Sequence, residues 1–144
     1  MKRTLLAVAL AVWCTAAVAT DVAGSPNLTA PAGASVYIIS PADGATVGRH
    51  LTVRFGLRGM GVAPAGVSRP RTGHHHLLVD MKQLPPASAP IPSDAWHLHF
   101  GGGQTEASLT LKPGTHTLQL ELADAHHVPF APALVSKRIT LHVE

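Results

Sequence analysis

Beyond residue 34 the chain shows no helical apolar period of useful length. It shows short alternating runs broken by Gly and Pro instead. His50 to Leu57 sets the pattern: Leu51, Val53, Phe55 and Leu57 fall on one face, and Thr52, Arg54 and Gly56 on the other. Val36-Tyr37-Ile38-Ile39 precedes it, ahead of a Pro41-Ala42-Asp43-Gly44-Ala45 turn. Gly73 to Asp80, Trp96 to Phe100, Thr105 to Leu111, Thr115 to Leu122 and Arg138 to Val143 follow as further strands. The prolines between Met81 and Ser93 keep that segment out of any central strand. This spacing predicts an all-β fold, an immunoglobulin-like or fibronectin-like β-sandwich of about seven strands.

The first residues read as an address. Met1-Lys2-Arg3 is basic, Leu5 to Val12 is apolar, and Ala17-Val18-Ala19 is an A-x-A cleavage signal. Residues 1–19 are therefore expected to be a cleaved signal peptide, residues 20–34 a flexible leader, and residues 35–144 a single β-sandwich domain. The expected location is periplasmic or secreted. The apolar run is too short for a membrane span, so none is expected after cleavage. Loss of Lys2 and Arg3 brings the formal charge of +3 close to neutral, and no basic stripe is interleaved with aromatics, so no nucleic-acid partner is expected. Cys14 leaves with the signal, which excludes disulfides, thiolate catalysis, iron–sulfur clusters and blue-copper sites from the mature chain.

Histidine is where the chemistry lies. Of ten histidines, seven fall in three clusters: His74-His75-His76, His97 with His99, and His126-His127. On a strand, residues i and i+2 share a face, so His74 and His76 project together, opposite His75, Leu77 and Val79. His97 and His99 likewise project away from Trp96, Leu98 and Phe100. Each H-x-H pair can offer two imidazoles to one ion, which suits zinc or copper(II). If the strands run in immunoglobulin order, the loops carrying the three clusters share one end of the sandwich, with His50 and His142 at the other. The candidate metal ligands are His74, His76, His97, His99, His126 and His127, with Asp80 or Asp124 to hold a ring by its second nitrogen. His116 points with Leu118 and Leu120 and reads as a core histidine bonded to backbone. The alternative is an interaction module whose histidines are structural or respond to pH.

Several phrases resemble a family of secreted bacterial proteins, the domain-of-unknown-function family numbered 4399. They are Ser40-Pro41-Ala42-Asp43-Gly44-Ala45, GHHHLLVD at 73–80, HFGGGQTE at 99–106 and LKPGTHTLQLELAD at 111–124. The resemblance covers nearly the whole mature chain and implies no activity. His97-x-His99 with Phe100-Gly101 also resembles, locally, the copper-ligand strand of copper–zinc superoxide dismutases. For hydrolysis a general base would be needed beside the metal, and the spacing of Asp80, Glu106 and Asp124 selects none of them. The expectation is a carrier, buffer or accessory protein for copper or zinc. No organic cofactor is expected, and a periplasmic protein is the expected partner besides the ion.

Overall fold

The computed structural model describes residues 28–144; the expected signal peptide and the start of the leader lie outside them. The described residues form ten strands and no helix. These are β1 (Ser35–Ser40), β2 (Ala45–Val47), β3 (His50–Arg58), β4 (Gly61–Val62), β5 (Thr72–Val79), β6 (His97–His99), β7 (Glu106–Thr110), β8 (Gly114–Ala123), β9 (Pro129–Val135) and β10 (Ile139–Val143). One sheet has the order β1-β3-β7. The other runs β2-β10-β8-β5-β4, with β6 added to β5 and β9 to β8. Near the start of the described residues, Ala131 N–H donates to the Leu28 carbonyl.

The fold is all-β as expected, and three strands add to the seven read from sequence. β2 and β4 are too short to alternate, and both join an edge in parallel. β9 contains Pro129 and Pro132, which hide it from a strand pattern. Its pairing with β8 alone makes those prolines tolerable. The Trp96–Phe100 run shrinks to β6: Leu98 and Phe100 pack on the core, but Trp96 is 53% exposed.

Alternation determines which side chains meet. Val36, Val53, Phe55 and Leu109 of the smaller sheet share one apolar core with Leu77, Val79, Leu118, Leu120, Ile139 and Leu141 of the larger. Each fully buried leucine there contributes about 1.5–3 kcal/mol through removal of apolar area from water. The opposite face of the larger sheet carries His74, His76 and Leu78 from β5, and Gln119, Glu121 and Ala123 from β8. Such a face would ordinarily be wet, yet His74, His76, Leu78 and Glu121 are all at most 1% exposed. The proline-rich segment between β5 and β6 is tied down near it: Ile91 is buried and its N–H donates to the His127 carbonyl, and the Lys82 carbonyl accepts from Arg138.

Candidate metal centre

Gly73 opens β5 because nothing larger fits. A β-carbon there would lie 2.6 Å from the Ala123 carbonyl oxygen and 3.0 Å from Leu122. The close approach lets β5 pair with β8 from His74↔Ala123 to Val79↔Leu118. His75 then turns to the core side, its ring 5.2 Å from Phe55, while His74 and His76 turn to the covered face with ring centroids 4.8 Å apart.

β6 lies antiparallel on β5 with Leu98 opposite Leu77, which places His99 opposite His76 and His97 opposite Leu78. The His76 and His99 rings stack with centroids 5.1 Å apart. Gly101 makes room for this: a β-carbon on it would meet His99 Cε1 at 2.4 Å. The fourth ring comes from the β8–β9 turn. Asp124 Oδ1 accepts the His126 and Val128 N–H groups, His127 N–H donates to the Asp124 carbonyl, and His127 adopts φ 66°. This left-handed residue sends the imidazole back over the face, where its Nδ1 lies 3.0 Å from His74 Nε2.

His74, His76, His99 and His127 thus form one group, and a ring nitrogen from each lies within 4.8 Å of the others. Nitrogens on one zinc or copper ion are separated by up to roughly 4 Å, twice the bond length of about 2.0–2.1 Å. Small ring rotations would gather the four. Burial, followed by the neighbouring imidazoles, pushes His74 down to about 4 and His76 to about 3. His99 is lowered by burial and by His127. Burial brings His75 to about 4, against a small opposing effect of the Gln104 backbone. His74, His75, His76 and His99 are therefore neutral at pH 7. His74 Nδ1, His76 Nδ1 and His99 Nε2 are buried without a hydrogen-bond partner.

Two of the six histidines named from sequence lie outside this group. His97 shares the strand but sits one ladder step away, opposite Leu78, with Nδ1 2.9 Å from Asp94 Oδ1. His126 is exposed, while His127 beside it is half-buried. The convergence also has a different origin from the one expected. β6 is a ladder neighbour of β5 in the same sheet, so His99 reaches His76 across a strand pair and not through clustered loops. The two acids expected to hold rings are engaged elsewhere. Asp80 binds His116 Nδ1 at 2.7 Å and the Thr117 N–H, and Asp124 serves its own turn. His116 bonds the Lys112 carbonyl at 2.9 Å, as expected, but is half-buried at the rim of the core. Its contact with Asp80 raises its pKa above the usual value. His50 and His142 are exposed.

Sequence reasoning passed over Glu121. It lies on the covered face opposite His76, is 1% exposed, and neither carboxylate oxygen has a hydrogen-bond partner. Burial raises its pKa to about 7. The only available signal, its place between Leu120 and Leu122, marks it as facing away from the core and so suggests solvent.

A family model described as a domain of unknown function (DUF4399) matches residues 53–144, a span that includes all four clustered histidines. No curated protein and no solved structure matches the chain.

Proposed function

Since the chain belongs to the DUF4399 family, whose description names no activity, we propose a function from the site itself. The protein binds a divalent transition metal, copper(II) or zinc, outside the cytoplasm, as a carrier, buffer or accessory protein. The observation that carries this reading is the group of four imidazoles, drawn from β5, β6 and the β8–β9 turn, with nitrogens within 4.8 Å of one another. Neutral imidazoles suit both ions. Four of them fill a tetrahedral or square-planar shell and leave no open position of the kind catalytic zinc sites keep. That favours holding an ion over turning over a substrate.

The alternative is that these histidines are merely structural, and another histidine of the chain offers the comparison. His116 is structural, and it uses both ring nitrogens, one on Asp80 and one on the Lys112 carbonyl. His74, His76 and His99 each leave a buried nitrogen unmatched, as His75 on the core side leaves both; within the group that cost is relieved when one ring nitrogen holds an ion and the other finds an acceptor. The test is the metal content of untagged protein, together with its melting temperature with and without zinc or copper(II). About one ion per chain is expected. Stabilisation should reach about 2.7 kcal/mol at a hundredfold excess of free metal over Kd. His76→Ala and His99→Ala should abolish that gain, and His50→Ala should keep it. A melting temperature indifferent to both metals would remove the proposal.

A further inference from the structure

Imidazole adds no charge of its own as a metal ligand, so an ion held by these four rings brings a net positive charge against a face where His74, His76 and Glu121 are buried. A charge buried in this way is strongly unfavourable unless an opposite charge lies near it. Among the described residues the buried acids are Glu121 and Asp124. Asp124 is engaged with the backbone of its own turn through the His126 and Val128 N–H groups. Glu121 has no such engagement. It stands opposite His76 in the β5–β8 ladder, on the same face, and directly opposed side chains in such a pair have β-carbons about 4.5–5.5 Å apart. Arg138, which reaches β8 at Gln119, donates to Gln119 Oε1 and the Lys82 carbonyl.

Two sets of buried polar atoms are therefore left unmatched on the same face of the sheet: the Glu121 oxygens, and Nδ1 of His74 and of His76. We propose that Glu121 is the charge-compensating partner of the metal centre, a positioning residue that accepts a hydrogen bond from the His76 ring and makes the site selective for divalent over monovalent cations. This rests on the metal-binding reading. A ligand imidazole that donates its second N–H to a carboxylate is fixed in orientation and becomes a better donor to the ion. The carboxylate charge also cancels half of a divalent charge, where it would cancel the whole of a monovalent one. Removing it penalises the divalent ion more, because the Coulomb energy scales with the product of the charges.

The experiment measures zinc and silver(I) affinities of the wild-type chain, Glu121→Gln and Glu121→Leu by competition titration, with melting temperatures of the metal-free proteins alongside. Both variants should fold, since neither leaves a buried carboxyl. Glu121→Gln should lose about tenfold to a hundredfold in zinc affinity and distinctly less in silver affinity, so the ratio between the two falls. Glu121→Asp, which keeps the charge, should recover much of that ratio. Equal losses for both ions, no loss for either, or failure of both variants to fold would overturn the inference. Absence of zinc binding by the wild-type chain would instead overturn the metal-binding reading itself.

Discussion

Gly101 and His99 show how closely single residues define this site. Adding one methyl at Gly101 forces the His99 ring from its stack on His76, because the β-carbon would sit 2.4 Å from Cε1. Gly101→Ala should leave the metal-free melting temperature near that of the wild-type chain and remove most of the zinc-dependent gain; an undiminished gain would show that the ring has another place to go. Proton uptake is a second residue-scale property. His74, His75 and His76 are pushed from 6.5 to about 4, 4 and 3, mainly by burial. Below pH 6.5 the unfolded chain binds protons there that the folded chain refuses. Their contribution is thus complete above pH 6.5 and is lost as pH falls toward 3–4. Two groups act in the opposite sense. Glu121, raised by burial from 4.5 to about 7, stabilises below pH 4.5 and loses that effect as pH rises through 7. His116, raised by Asp80, loses its effect as pH rises above 6.5. Three histidines outweigh one glutamate between pH 6.5 and 5, at about 1.4 kcal/mol per pH unit for each unmatched proton. The melting temperature of metal-free protein should therefore fall over that range, and more steeply in Glu121→Gln; a flat profile would mean the rings are far more hydrated than their burial indicates.

At the scale of elements, the β8–β9 turn depends on Asp124 Oδ1, which accepts two backbone N–H groups and so sets the direction of His127. Asp124→Ala should cost about 1–3 kcal/mol in a urea melt, the penalty of unsatisfied buried donors, and should weaken zinc binding. Asp124→Asn keeps the acceptor oxygen and should preserve both; equal damage from the two substitutions would point to the charge and not the turn. The same turn marks the limit of what the sequence could tell. Alternation alone puts His74 and His76 on one face and Leu77 on the other, and the all-β class follows from the same period. It does not set the register between strands. That His99 and not His97 meets His76 depends on Leu98 pairing with Leu77, a contact made across 20 residues of intervening sequence. That His127 and not His126 turns inward depends on a left-handed backbone at a histidine, which no local composition announces. Glu121 reads as solvated for a similar reason, since nothing near it in sequence says that this face of the sheet is buried.

At the scale of the molecule, Leu77 and His76 are consecutive residues on opposite sides of one sheet, so the apolar core and the histidine group are back to back and separate. The core is sealed between two sheets. The histidine group, with His74 and His76 buried and His99 and His127 half-buried, is bounded by a turn that is joined to a proline-rich connection through the bond from Ile91 N–H to the His127 carbonyl. Connections of this kind open at a fraction of the free energy needed to unfold a core strand. In hydrogen–deuterium exchange the Ile91 amide should therefore exchange well before those of Leu118 and Leu120; simultaneous exchange would mean that the whole chain opens as one unit. Stability and exchange rate are in this way assigned to different faces of the same sheet. An ion could be taken up or handed on at the pace of a loop, with the lifetime of the folded state left untouched.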